Sequence, residues 1–188
     1  MYRTVVLLKT HLWNANLEKF AFKIYNETII NQIDFYILMH TDDGQLINNI
    51  SDEKLKNITL IFSESDIRNI YQNGFYDMHL SNHWILMWFY QKYGLDYNFF
   101  WSMEYDVRIS GNSTKIWTLN SMLDFIYVKG NYLNANNIYR DHLIGIKLHP
   151  HQKYTGFLQL ARYSKKSLEY LNNCFQNEGN GQDELITY

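Results

Sequence analysis

Short apolar runs alternate with segments of helical periodicity over the first 106 residues. The runs are rich in β-branched and aromatic residues, which predicts buried strands at residues 4–8, 34–40, 58–62 and 97–106. Apolar side chains at every third or fourth position predict helices after Asn14 or Asn16, at residues 65–71 and at residues 80–93, with Gly94 suited to end the last one. This order of elements indicates an α/β sandwich with a mostly parallel central sheet flanked by helices.

The rest of the chain shows the same two periodicities less regularly. Residues 114–128 are predicted to form a helix, and residues 132–151 are predicted to form loops with one or two strands. A further strand is predicted at residues 156–162, followed by a helix that Ser164 caps. A glycine-rich turn at residues 177–181 then precedes Asp183 and Glu184.

Composition narrows the class of protein. The 188 residues are 46% hydrophobic and 17% aromatic, which predicts a single globular domain, 1–188, either complete or a piece of a longer chain. A net charge of −2 without a basic stripe argues against a nucleic-acid partner. One cysteine, no leader and no transmembrane run predict a cytoplasmic protein.

Two carboxylates stand at the end of the strand predicted at residues 97–106. Glu104 and Asp106 flank Tyr105, so an extended chain would place both acids on one face. Such oxygens suit a hard divalent cation, and ligands of open α/β sheets bind at this end of the strands. An E-x-D triplet is common, however, and taken alone it favours a solvated strand end. Arg108 either supplies a cation for phosphate or pairs with the two acids.

Taken together, these segments resemble the GT-A family of nucleotide-sugar-dependent glycosyltransferases. The matching features are the end of the first strand, the acidic pair after the second strand and the helix–strand unit that ends in an acidic motif, namely Lys9-Thr10-His11, Asp42-Asp43 and Glu104-Tyr105-Asp106. The pattern W-x-x-E-x-D-V-R-x-x-G, from Trp101 to Gly111, is similar to a poorly characterised branch of GT-A-like proteins. Glu104 replaces the more frequent first Asp of the family's D-x-D motif.

The resemblance implies a GT-A-like (Rossmann-like) fold and a metal-dependent hexosyltransferase-like activity. A sugar would pass from a nucleotide-diphosphate sugar to a hydroxyl of a glycan or other acceptor, with Mn²⁺ or Mg²⁺ on the diphosphate. The implied donor contacts are Thr10, His11, Asp42, Asp43, Glu104 and Arg108. The implied metal ligands are Asp106, acting directly, Glu104, acting through water or on the ribose, and His149. Asp183 or Glu184 would be the base if the enzyme inverts the anomeric centre, and neither is needed if it retains it.

Other functions fit parts of the same pattern. A sugar-phosphate nucleotidyltransferase would need a glycine-rich basic loop after the first strand, and residues 9–13 contain no glycine. A carbohydrate- or nucleotide-sugar-binding module without catalysis would use exposed Trp13 and Tyr side chains for sugar stacking. His149 and His151 flank Pro150, which equally describes a surface turn, and His79 and His83 favour a capping or core role over a metal site.

Overall fold

A six-stranded sheet forms the centre of the computed structural model, which describes residues 2–71, 83–132 and 154–178. The strands are β1 (Thr4–Thr10), β2 (Asp34–His40), β3 (Thr59–Phe62), β4 (Phe99–Glu104), β5 (Phe125–Tyr132) and β6 (Tyr154–Ser164). They stand in the order β3-β2-β1-β4-β6-β5; the first four are parallel, and β6 runs antiparallel to both of its neighbours. The predicted α/β sandwich with a mostly parallel sheet is therefore confirmed.

The described residues form six α-helices, four of which begin at a side-chain cap. They are α1 (Ala15–Ile29), α2 (Glu53–Asn57), α3 (Glu64–Arg68), α4 (His83–Tyr93), α5 (Thr114–Trp117) and α6 (Lys165–Glu178), with a 3₁₀ turn at Gln45–Asn49. Asn14 caps α1 by accepting the N–H groups of Asn16 and Leu17, and Ser164 accepts the N–H of Ser167 at 3.0 Å at the start of α6. Within the described ranges, no helix has the length and apolar content to cross a membrane.

β1 is buried on both faces because helices cover the sheet on either side. Its side chains Val5 and Leu7 pack with α4, whose residues 84–90 are all buried, as expected of a helix that is apolar all round. Val6 and Leu8 pack on the opposite face with α1. The prediction that the large apolar residues of the helix at 80–93 belong to the core is confirmed for Trp84, Met87 and Trp88, whereas Leu80 lies outside the described residues.

Gly94 ends α4 for a steric reason. Its N–H donates to the carbonyl oxygen of Tyr90 at 3.0 Å. A Cβ at this position would lie 2.6 Å from the Tyr90 backbone and 2.9 Å from the Phe100 ring, so only glycine fits between the helix and β4.

The predicted helix at residues 114–128 is wrong beyond its first turn. α5 ends at Trp117, and β5 begins at Phe125 and pairs with β6. Arg162 in β6 is almost fully buried and takes up backbone carbonyl groups that a helix would use, since its guanidinium donates to the oxygen atoms of Leu119, Ser121 and Leu123 at 3.1, 2.7 and 3.2 Å. The apolar spacing that suggested a helix belongs largely to exposed side chains, Leu119, Met122 and Leu123.

Candidate functional site

The parallel strands bring three polar segments to one edge of the sheet. β1, β2 and β4 are neighbours and run in the same direction, so their carboxyl ends lie together. The segments at these ends are Lys9-Thr10-His11, His40 to Asp43 and Glu104 to Asp106. The predicted position of Glu104 and Asp106 at the carboxyl end of a central strand agrees with this arrangement.

An open cleft of ≈ 550 Å³ lies at the carboxyl ends of β1 and β2. Its lining residues are His11, His40, Thr41, Asp42, Asp43, Gln45, Leu46 and Asn49. Three predicted donor contacts, His11, Asp42 and Asp43, thus line the same cleft. The mixture of carboxylate, amide and imidazole groups suits a ligand with several hydroxyl or amino groups.

Asp42 and Asp43, the two neighbouring acids of the cleft, have different roles. The Asp43 carboxylate accepts the hydroxyl of Thr41 at 2.8 Å and the N–H of Gln45 at 2.9 Å, and Gly44 next to it has a φ of 70°. The Gln45 N–H, together with the Thr41 hydroxyl, lowers the pKa of Asp43 below its usual value. Asp42 is 85% exposed. Asp43 therefore shapes the turn, and Asp42 is the carboxylate that meets solvent or a ligand.

His40 is a cleft residue that the sequence analysis missed. Its ring stacks on Phe62 with centroids 5.5 Å apart, and its Nε2 lies 3.8 Å from the Asp42 carboxylate. Nε2 is buried and has no hydrogen-bond partner within the described part of the chain. The sequence could have indicated His40 as a cleft residue, because it is the last residue of an apolar strand and directly precedes the acidic turn.

His11 links the cleft to the segment that follows β4. The His11 side chain is exposed, lines the cleft and meets Tyr105 edge to face, with ring centroids 4.8 Å apart. Thr10 has a structural role, because it is buried and its hydroxyl is hydrogen-bonded to the N–H and carbonyl of Leu12. Thr10 therefore shapes the loop that presents His11.

The acidic motif is split between a buried and an exposed position. β4 ends at Glu104, and the N–H of Val107 donates to the Glu104 carbonyl at 3.1 Å, which closes a turn. Glu104 is buried against Lys9, whose Nζ lies 2.6 Å from Oε1, whereas Asp106 is exposed in the turn. The prediction that strand alternation places both acids on one face is wrong, because the strand stops before Asp106.

Arg108 contacts backbone carbonyl groups rather than the acids that were predicted to pair with it. Its guanidinium donates to the carbonyl oxygens of Tyr105 and Val107 and stands 5.1 Å from the centroid of the Phe20 ring in α1. Among the described residues, Arg108 forms no ion pair with Glu104 or Asp106, and Lys9 is the partner of Glu104. The salt-bridge alternative for Arg108 is therefore wrong.

The fit of a divalent cation differs between the two acids. In the described ranges no group of three or more His, Cys, Asp or Glu side chains is placed to hold a metal ion. Glu104 does not fit while Lys9 neutralises it. Asp106 fits as a single carboxylate ligand, because its side chain is exposed at the edge of the sheet and a hard cation prefers carboxylate oxygens.

Glu18 in α1 holds the segment that follows the 3₁₀ turn Gln45–Asn49, three residues of which line the cleft. Its carboxylate accepts the Trp13 indole N–H at 2.8 Å and the N–H groups of Ser51 and Asp52 at 3.2 and 3.1 Å. Burial alone would raise the pKa of Glu18, but the hydrogen bonds from Ser51, Trp13 and Asp52 outweigh it and hold the pKa below its usual value. The expected exposure of Trp13 is wrong, since Trp13 is 8% exposed and packs in the core.

The Glu18→Gln variant is expected to lower the free energy of unfolding at pH 7 by about 1–2 kcal/mol. Because the folded pKa is depressed, the stabilisation is present above the unfolded value of about 4.5 and is lost as the pH falls through the folded pKa. Urea unfolding at pH 7, 5, 4 and 3 should therefore show the difference between wild type and variant shrinking below about pH 5. Glu53→Gln, at a 78% exposed acid, is the control, and a constant difference at all pH values contradicts the assignment.

Several predicted residues lie outside the described residues. These are His149, Asp183 and Glu184, together with His79 and His151. Their proposed roles stay predictions.

Comparisons with known proteins agree with the fold. A family model described as "Protein of unknown function (DUF3405)" matches residues 34–125, which include the whole pattern from Trp101 to Gly111. The crystal structure of 4-diphosphocytidyl-2C-methyl-D-erythritolsynthase from Anaerococcus prevotii DSM 20548 has a TM-score of 0.53 at 11% identity, over 97% of this chain and 84% of that chain. A glycosyltransferase involved in the glycosylation of the major capsid of PBCV-1 has a TM-score of 0.45 at 11% identity, over 94% of this chain and 67% of that chain. No curated protein sequence matches significantly. The predicted fold class, an α/β sandwich with a mostly parallel central sheet flanked by helices, is confirmed by the strand order and agrees with the likeness to the first of these two structures.

Proposed function

We propose that this protein is a transferase that moves a sugar from a nucleotide-diphosphate sugar to a hydroxyl of a glycan or other acceptor. The observation that carries the proposal is the position of His11, which lines the cleft and contacts Tyr105. The cleft and the exposed Asp106 are thereby parts of one continuous edge. A nucleoside bound in the cleft could extend its diphosphate past His11 towards Asp106.

The nucleoside would be recognised by polar side chains of the cleft. Asp42 is exposed and can accept the two hydroxyl groups of a ribose, whereas the Asp43 carboxylate already holds the turn. His11 presents an exposed aromatic ring to the same space. Asp42 and His11 are therefore the proposed donor contacts, with Thr10 and Asp43 acting by shaping the loops that carry them.

A Mn²⁺ or Mg²⁺ ion would be held by Asp106. When bound, it would stabilise the negative charge that develops on the departing diphosphate. Glu104 is not a direct metal ligand in this proposal, because its carboxylate forms an ion pair with Lys9. Arg108 stabilises the turn after β4 through its hydrogen bonds to the carbonyl oxygens of Tyr105 and Val107. His149 remains a candidate for a further metal ligand.

The acceptor hydroxyl must lose a proton in an inverting transfer. Asp183 and Glu184 remain our proposed bases, since they follow a glycine-rich turn and would start a helix whose positive end favours their ionised form. A retaining transfer needs neither residue as a base. Measuring the anomeric configuration of the product decides between the two.

Calorimetric titration with the four ribonucleoside diphosphates and Mn²⁺ tests the proposal. Wild type should bind at least one of them, and Asp42→Asn should weaken that binding about tenfold, since one charged hydrogen-bond acceptor is lost. The loss should be smaller for the 2′-deoxy form, which already lacks one of the two hydroxyl groups. Asp96→Asn is the matched control, because Asp96 is also 85% exposed but lies before β4, at the opposite edge of the sheet.

Two outcomes would change the proposal. If no nucleoside diphosphate binds, the transferase assignment is wrong. If one binds and no labelled nucleotide sugar is turned over with any acceptor, the protein is a nucleotide-sugar-binding module without catalysis.

A further inference from the structure

His40 is a cleft residue with a ring nitrogen that the proposed function does not use. Its Nε2 is buried, has no hydrogen-bond partner in the described part of the chain and lies 3.8 Å from the Asp42 carboxylate. That distance is longer than the roughly 2.7–3.2 Å of an ordinary N–H···O hydrogen bond. A buried N–H group without a partner is unfavourable, so an approach of the carboxylate by roughly 1 Å is favoured. An unprotonated Nε2 would instead turn its lone pair towards the carboxylate oxygen, so the proton of a neutral His40 belongs on Nε2.

The His40 ring is held in place, whereas the Asp42 carboxylate can turn. The ring stacks on Phe62, a core residue that is 1% exposed. The backbone between His40 and Asp42 is also held, since the Thr41 N–H donates to the Phe62 carbonyl at 3.1 Å. The Asp42 side chain is 85% exposed and accepts no hydrogen bond from the residues that the structure describes. Rotation of the Asp42 side chain alone can therefore close the gap to Nε2.

We infer that His40 is a positioning residue for ribose recognition: when a ribonucleotide binds in the cleft, its Nε2–H donates to Asp42 and orients the carboxylate towards the two ribose hydroxyl groups. The inference rests on the proposed function, in which Asp42 accepts those hydroxyl groups. An ionised carboxylate has about four lone-pair sites, so it can accept the His40 N–H and both hydroxyl groups at the same time. His40 acts through Asp42, and its effect is to fix a carboxylate that is otherwise unattached.

The position of the imidazole proton tests the contact between His40 and Asp42 without any nucleotide. Long-range ¹H–¹⁵N NMR spectra of the full chain distinguish the two ring nitrogen atoms of each of the 7 histidines, and the His40→Gln variant assigns the His40 signals. At pH 8, where an ordinary imidazole is neutral, we expect the His40 proton on Nε2. A proton on Nδ1 would leave Nε2 unable to donate to Asp42 and would overturn the inference.

Calorimetric titration with ADP, GDP, CDP and UDP, each with Mn²⁺, tests the effect on ribose recognition. His40→Phe keeps a ring on Phe62 but removes the N–H, so it should weaken binding about fivefold, as expected for the loss of one hydrogen bond. In an Asp42→Ala background, which has no carboxylate to orient, the same change should weaken binding less than about twofold. His40→Gln loses the ring, but its amide nitrogen can replace Nε2 as the donor, so it should bind within about twofold of wild type.

A purely structural role of His40 predicts the opposite order, with His40→Phe tolerated and His40→Gln impaired. That order overturns the inference, as does an equal loss from His40→Phe in the wild-type and Asp42→Ala backgrounds. If His40→Phe does not fold, the proton position and the affinity of His40→Gln decide. Failure of every nucleoside diphosphate to bind would contradict the proposed function, while the proton position would still test the contact between His40 and Asp42.

Discussion

Asp106→Asn is expected to weaken metal-dependent binding of a nucleoside diphosphate by about 10- to 100-fold. The substitution keeps the size of the side chain and removes its charge, so the proposed Mn²⁺ or Mg²⁺ ion would lose its carboxylate ligand while the turn after β4 stays intact. Calorimetry with Mn²⁺ and with excess chelator separates the contribution of the metal to binding from the contribution of the nucleoside contacts. In chelator, the variant should bind the diphosphate as wild type does, because the nucleoside contacts in the cleft are intact.

Asp96→Asn is again the matched control, since it removes one exposed negative charge at the other edge of the sheet. It should keep the full enhancement by Mn²⁺. An Asp106→Asn variant that also keeps this enhancement would show that the metal is held elsewhere. A variant that loses binding equally with Mn²⁺ and with chelator would point instead to a direct contact of Asp106 with the nucleotide.

Arg162→Met is expected to lower the free energy of unfolding by about 3 kcal/mol. Arg162 is 2% exposed, burial lowers the pKa of its guanidinium, and the guanidinium carbon lies 4.3 Å from the centroid of the Phe99 ring. It forms three hydrogen bonds to the segment between α5 and β5. Met fills much of the same volume but satisfies none of these carbonyl groups, so the segment loses its attachment to β6.

Arg162→Lys should not rescue this loss. A lysine keeps the positive charge, but its single ammonium cannot span three carbonyl groups as the planar guanidinium does. Urea unfolding of both variants is the measurement, with Arg68→Met as the control, because the Arg68 side chain is 53% exposed and surface changes cost within about 0.5 kcal/mol. Wild-type stability in Arg162→Lys would show that charge alone matters.

The sequence predicted the parallel half of the fold well, because its central strands β1 and β4 are buried on both faces. Such strands are nearly continuous apolar runs, as in residues 5–8 and 99–103, and polar turns or helix caps bound them. The same reasoning failed for residues 114–128. Their course depends on Arg162, more than 30 residues later, and local periodicity contains no information about that contact.

The candidate site was predictable in position and less so in detail. The end of a predicted strand indicated Asp106, and the resemblance to a known family implied His11 and Asp42; the parallel strands gather the carboxyl ends that carry them at one edge. The roles within each pair of acids were not predictable. Asp43 is engaged by the turn beside it and Glu104 by Lys9, 95 positions earlier in the chain, and only the pairing of β1 with β4 brings that lysine into contact.

The strand order has a consequence for synthesis of the chain. β1, β2 and β3 are neighbours both in the sequence and in the sheet, so they can pair as soon as they leave the ribosome. β1, in which Val5 to Leu8 are apolar, then presents an unpaired edge until β4 arrives, a wait of several seconds at about 5–20 residues per second. Nascent chains should therefore pass through a stage in which this edge is open to intermolecular pairing, and chaperone binding should be strongest before residue 99 emerges.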